Sequence, residues 1–159
     1  AGIADYCDRT PDCSIVVLVQ CTSPLTTALD FRNGLELFTT SKADALVTVV
    51  RTHRFLWSID GDGVAAPKNY DPVRRPRRQD WRGELVENGA FYIFTVAAFR
   101  ASGSRLSGKI VALEMAEDTL VEIDTQVDWK IVELLAADKF GDTPKTWGPF
   151  PPPHSGASR

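Results

Sequence analysis

Two runs of aliphatic and β-branched residues, Ile15-Val16-Val17-Leu18-Val19 and Ala45-Leu46-Val47-Thr48-Val49-Val50, bracket a segment with a different rhythm. In that segment Ala28, Phe31, Leu35 and Phe38 recur at spacings of three and four, which makes one apolar stripe on a helix. Thr26 or Thr27 is placed to cap its first turn. An apolar run without polar alternation predicts a strand covered on both faces, the habit of parallel sheets. Strand, helix and strand in that order predict an α/β fold with a mostly parallel sheet, flanking helices and a right-handed crossover. A chain of 159 residues, 43% apolar and 25% charged, is long enough for one domain with a real core.

The middle of the chain breaks the alternation. Phe55-Leu56-Trp57-Ser58-Ile59 runs into Asp60-Gly61-Asp62-Gly63, a strong turn signal, so a hairpin is expected there. From Pro67 to Arg82 the chain is polar and basic with three prolines, and reads as a loop. Strands are expected at Ala90–Phe94 and 110–113, with a short helix between them at 95–102. Thr125 to Ala136 reads as the clearest helix, with Val127, Ile131, Leu134 and Leu135 on one face. Residues 1–140 are expected to form the folded unit. Residues 141–159, with Pro151-Pro152-Pro153 and His154, are expected to be a Pro-rich disordered tail.

Several polar residues stand at expected turns or strand ends. Gln20 ends the first apolar run, where open α/β sheets keep their ligand crevice, and its amide suits a base or a sugar. Thr22 and Ser23 add hydroxyl groups to the same turn, or serve only to stabilise its backbone. Arg74, Arg75, Arg77 and Arg78 form a basic cluster. Arginine grips carboxylate or phosphate through two parallel hydrogen bonds, although most such runs are solvated loops. Asn88 and Tyr92 are four apart in an expected strand, so they should share a face and present an amide and a phenol to one ligand. Asp124 precedes a helix start, with Glu122 two residues earlier. Magnesium favours a few carboxylates together with substrate phosphate oxygens. Asp128 stands at the third position after Thr125, so it reads as half of a capping box.

Four motifs in register resemble the acylneuraminate cytidylyltransferases: Gln20-Cys21-Thr22-Ser23-Pro24-Leu25, Arg78-Gln79-Asp80, Asn88-Gly89-Ala90-Phe91-Tyr92 and Ile123-Asp124-Thr125 followed by Asp128-Trp129. The resemblance runs from about Ser14 to about Leu135. It implies a Rossmann-like nucleotidyltransferase sheet with a hairpin excursion that builds a homodimer. It also implies transfer of CMP from CTP to the anomeric hydroxyl of a sialic acid, a nine-carbon 2-keto sugar acid, with release of pyrophosphate. Arg78, Asn88 and Tyr92 would then seat the sugar, Gln20, Thr22 and Ser23 would contact substrate, and Asp124 with Glu122 would hold Mg2+. Catalysis would rest on Arg78 and Asp124. Cys21 stands where the family has proline, and Thr26 where it has arginine. The family's first strand and its Gly-, Lys- and Arg-rich phosphate loop have no counterpart in the sequence. The only methionine is Met115, which suggests a processed product or fragment. Other readings are a non-catalytic fragment that binds sugar or dimerises, and a cytidylyltransferase for a pseudaminic, legionaminic or KDO-type acid.

The bulk numbers exclude other classes. A net charge of −3 does not fit a nucleic-acid binder. No apolar run approaches the roughly 20 residues that span a bilayer, and no signal peptide pattern opens the chain. Cys7, Cys13 and Cys21 are odd in number and lack Cys-x-x-Cys spacing, which points to reduced thiols in the cytoplasm or nucleus.

Overall fold

A computed structural model of the chain describes residues 2–141. Its elements are α1 (Gly2–Arg9), β1 (Ile15–Val19), α2 (Ala28–Ser41), β2 (Ala45–Thr52), β3 (Trp57–Ile59), β4 (Ala65–Pro67), β5 (Glu84–Thr95), α3 (Val96–Ser102), β6 (Ile110–Met115) and α4 (Gln126–Phe140). The expected tail, including His154, lies outside the described residues apart from Gly141, which follows α4.

The four main strands form one sheet in the order β1-β5-β2-β6. β5 runs antiparallel to both β1 and β2, and among the described residues only β2 and β6 pair in parallel. The sheet is therefore mixed rather than mostly parallel. β1 and β2 do run the same way, but β5 returns from the excursion and inserts between them. Apolar run length does not encode which strand becomes the neighbour.

β1 is also not covered on both faces. It is an edge strand in which Ile15, Val17 and Val19 are 42%, 39% and 52% exposed. Only the face carrying Val16 and Leu18 packs, together with Ile3 of α1, against Tyr92 and Phe94. The main core lies on the opposite side of the sheet. There Phe38 of α2 joins Leu46, Val50, Phe91, Ile93 and Met115, with Phe31 and Leu37 packed beside them.

Thr27 caps α2, and its hydroxyl accepts from Asp30 N while the Asp30 carboxylate accepts from Thr27 N, at 2.8 Å. The buried stripe of α2 runs through Phe31, Gly34 and Phe38, whereas Leu35 is turned outward. The expected apolar face of α4 differs as well. Val132 is buried, while Val127, Ile131 and Leu134 are exposed. The end of α4 is pinned by Lys139, whose Nζ donates to Leu25 O at 2.9 Å and to Asp118 at 2.8 Å.

The hairpin forms as expected, with β3 and β4 antiparallel around Asp60–Gly63. The Asp60 carboxylate closes its turn by accepting from Asp62 N and Val64 N at 3.0 and 2.9 Å. The following basic stretch is held by an aromatic cluster. Phe55 stacks on Trp81 at 4.9 Å and leans on Tyr70 at 4.4 Å, and Arg75 lies 4.4 Å from the Phe55 ring centre.

Gly34 sits where α2 meets the sheet. A Cβ there would approach the buried Phe91 ring to 2.9 Å, and Phe31 already packs against that ring at 4.6 Å. Replacing a helical glycine by alanine ordinarily gains up to about 1 kcal/mol. Here overpacking of about 1–3 kcal/mol outweighs it, so urea denaturation of Gly34→Ala is expected to show a net loss of stability.

Candidate functional site

β1, β2 and β6 run in the same direction, so their carboxyl ends share one end of the sheet. β1 stops at Val19, opposite Phe91, while β2 and β5 continue together to Thr52 and Glu84. The sheet is therefore stepped, and the Gln20–Leu25 loop fills the step. Gln20 N donates to Ala90 O at 3.1 Å, and Ile123 N donates to Thr22 O at 2.9 Å. Those two bonds lay the loop between β5 and the 121–125 segment.

Gly89 lies at the junction. It is buried, with φ +65°, and an added Cβ would run into Glu122 Oε1 and approach Gln20 Oε1 to 2.7 Å. The Gln20 amide and the Glu122 carboxylate thus both rest on the bare Gly89 backbone, and only glycine leaves room for them. Ser23 is 6% exposed, and its Oγ is buried without a hydrogen-bond partner. It lies close enough to favour the charged form of Glu122 without closing a bond of ordinary geometry. The Glu122 carboxyl is pushed up nonetheless, by burial first, then by the negative charge of Asp124, and further by Glu87.

Gln20, Ser23, Glu122 and Asp124 are therefore one neighbourhood, which Thr22 joins through its backbone. Asp124 is exposed at the start of α4. Asp128 is consumed by its cap as expected: its Oδ2 accepts from Thr125 N and Thr125 Oγ1, both at 2.8 Å, and these bonds hold the carboxyl below its ordinary range.

Asn88 and Tyr92 do not share a face. Val47 pairs with Tyr92 and Val49 with Glu87, so β5 bulges by three residues between them. Asn88 turns into the main core, 1% exposed, where its Nδ2 donates to Thr119 Oγ1 at 2.9 Å. Tyr92 points to the other side, among Val16, Leu18 and Phe94. Its hydroxyl donates to the Glu87 carboxylate, and the Arg105 guanidinium lies 4.0 Å from its ring centre. Burial and the Glu87 bond push the phenol upward.

Arg78 sits in a 3-10 turn, Arg78–Asp80, exposed on the excursion. Its neighbour Arg77 takes Asp80 at 2.7 Å. No contact among the described residues joins Arg78 to Gln20, Glu122 or Tyr92. Sequence reasoning missed Glu87, Gly89 and Arg105. The Gly89 turn was visible as Asn-Gly, whereas Glu87 and Arg105 carried no spacing signal.

Among the described residues no group of three or more His, Cys, Asp or Glu is disposed around a metal ion. Glu122 and Asp124 are an open pair of carboxylates. That pair suits an ion which takes its remaining oxygens from substrate and water, as magnesium does, and it does not form a closed cage. Among the same residues no helix is long and apolar enough to cross a membrane.

No protein-family model matches the chain. It is homologous to N-acylneuraminate cytidylyltransferases. It is 37% identical over 144 residues to that of Oncorhynchus mykiss and 35% identical to the A form of Danio rerio. Each alignment covers 87% of this chain and 33% of the relative. A Streptococcus agalactiae relative of the same name is 27% identical over 135 residues, covering 80% of this chain and 31% of its own length. The chain thus spans about a third of the length of the curated relatives it matches. A solved 4-diphosphocytidyl-2C-methyl-D-erythritol synthase from Anaerococcus prevotii superposes with a TM-score of 0.48 at 14% identity, over 75% of this chain and 56% of that one.

Two measurements follow from the junction. The raised Glu122 carboxyl binds a proton more readily in the folded chain than in the unfolded one. Its contribution to stability is therefore complete below the ordinary glutamate range and is lost as pH rises through the folded value. Denaturation of Glu122→Gln is expected to match the parent in acid and to exceed its stability at neutral pH. Gly89→Ala must hold a left-handed φ that costs about 1–2 kcal/mol and must also displace Gln20 and Glu122. A thermal scan is expected to register that loss.

Proposed function

We propose that this chain carries the sugar- and metal-binding end of an acylneuraminate cytidylyltransferase. The observation that carries the reading is the convergence of Gln20 and Glu122 on Gly89, with Ser23 and Asp124 beside Glu122, at the carboxyl end of β1. The homology to N-acylneuraminate cytidylyltransferases supports it.

The reaction moves CMP from CTP to the anomeric hydroxyl of a nine-carbon 2-keto sugar acid. An oxygen–phosphorus bond forms at the α-phosphate, the α–β anhydride breaks, and pyrophosphate and a proton leave. Such a displacement depends on positioning and charge neutralisation more than on a covalent intermediate. Asp124 and Glu122 would hold Mg2+, which neutralises the triphosphate charge. Gln20 offers a donor and an acceptor to sugar or base, and Ser23 offers a buried hydroxyl with bonding capacity to spare. Tyr92 reaches the sugar from the opposite sheet face beside Glu87. Asn88 acts from behind, fixing the bulge against Thr119. Arg78 acts in this reading from the excursion of a second copy, in a homodimer. Free thiols at Cys7, Cys13 and Cys21 suit a cytoplasmic or nuclear setting.

A second reading is substrate binding without turnover. Incubation with CTP, N-acetylneuraminic acid and Mg2+ separates the two, with CMP-sugar as the product measured. Under the first reading Asp124→Ala loses on the order of 100-fold in turnover or more. Asp128→Ala loses about 1 kcal/mol of stability through its cap and keeps the turnover of its folded fraction. Titratable binding of the sugar acid with no CMP-sugar formed would establish the second reading instead.

A further inference from the structure

Arg105 lies in the loop between α3 and β6, and no expectation drawn from the sequence included it. Its guanidinium rests 4.0 Å from the centre of the Tyr92 ring, and Tyr92 is almost wholly buried in the face shared by Val16, Leu18 and Phe94. A cation held over an aromatic face keeps its in-plane N–H donors available. Among the described residues no carboxylate lies within ion-pair distance of Arg105, although Arg9, Arg51, Arg77 and Arg100 each have one. Beside it opens a cavity of about 370 Å³, lined by Ile3, Phe99, Gly103, Ser104, Arg105 and Leu106. The guanidinium is therefore held by the Tyr92 ring and phenol, lacks an ion-pair partner among the described residues, and is exposed.

We propose that Arg105 is a substrate-positioning residue that takes the carboxylate of the sugar acid from within the same chain. This rests on the functional reading above. The charge around Arg105 decides which anion it takes. Glu87 meets the Tyr92 hydroxyl next to it, so the guanidinium and the carboxylate nearly cancel. A triphosphate would meet repulsion from Glu87 that one guanidinium does not overcome. A polyhydroxylated monoacid suits both groups: its carboxylate takes the Arg105 fork, and a hydroxyl donates to the Glu87 oxygen that Tyr92 leaves free. Phosphate groups belong instead with the Asp124 and Glu122 side of the site, where a cation offsets their charge.

The experiment is calorimetric titration of the chain with N-acetylneuraminic acid, its methyl ester and CTP, repeated for Arg105→Gln and Arg105→Lys. The parent is expected to prefer the acid over the ester by on the order of 10- to 100-fold. Arg105→Gln is expected to erase that preference and leave CTP binding unchanged, while Arg105→Lys retains part of it because it keeps the charge without the fork. A thermal scan of each variant confirms folding, and Arg105→Lys provides the comparison should Arg105→Gln fail to fold. An acid-over-ester preference that survives in the variants overturns the Arg105 assignment alone. Loss of CTP affinity in place of acid affinity also overturns it, by making the site one for phosphate. If the parent binds neither the sugar acid nor CTP, the functional reading falls and this inference falls with it.

Discussion

The three-residue bulge in β5 is the feature on which the rest of the site depends. An irregularity in the middle of a sheet leaves backbone groups without ladder partners, and buried groups of that kind must be satisfied some other way. Thr48 does this. Its hydroxyl donates to Phe91 O at 3.0 Å and accepts from Phe91 N at 3.3 Å, and the residue is fully buried. Asn88 supplies the second support, with its amide donating to Thr119 and its oxygen accepting from Ala90 N at 3.4 Å. One hydroxyl and one amide thus stand in for the missing ladder.

The bulge has consequences on both sides of the sheet. It lifts Gly89 to the carboxyl end of β1, where the absence of a side chain lets Gln20 and Glu122 close over its backbone. It also returns Glu87 to the level of the Tyr92 hydroxyl on the opposite face. Without the extra residues Asn88 and Tyr92 would share a face by simple alternation, and the amide that now braces the core would stand beside the phenol. The step left by the short β1 completes the arrangement, because the Gln20–Leu25 loop then runs beside Ile123 rather than pairing as strand.

What the sequence made legible was local chemistry. A cap at Thr26 or Thr27, the Thr125/Asp128 capping box, the Asp60–Gly63 turn and the extents of β2 and α3 follow from residues within a few positions of one another. The expectations that failed concern which surface meets which. The apolar run Ile15–Val19 looked like a central strand, yet among the described residues it stands at the edge of the sheet beside β5. The face of Asn88 was misjudged because a bulge shifts alternation and leaves only Asn-Gly as its trace. Arg105 was invisible because a cation over a ring forms between residues 13 apart, with no periodicity to mark it. Among the expected residues, Gln20, Ser23, Glu122 and Asp124 lie near one another, while Arg78 stands apart from them in a single chain.

The charge layout gives the proposed chemistry its remaining constraint. Both substrates of the proposed reaction are anions, and the chain itself carries a net charge of −3. Attraction at long range therefore cannot deliver them, and binding must come from local placement of opposite charge. The cleft end of the sheet holds Glu87, Glu122 and Asp124, and Glu122 is already pushed toward protonation by its neighbours. An anion approaching that side without a cation would worsen the same repulsion. The free positive charge is concentrated elsewhere, in Arg105 over Tyr92 and in the arginines of the excursion, of which Arg77 is neutralised by Asp80. Under the proposed function, a site built this way would take a nucleoside triphosphate only together with a divalent ion and a sugar acid without one. The two substrates should therefore differ in their dependence on magnesium, with CTP binding rising with the ion and sugar-acid binding indifferent to it.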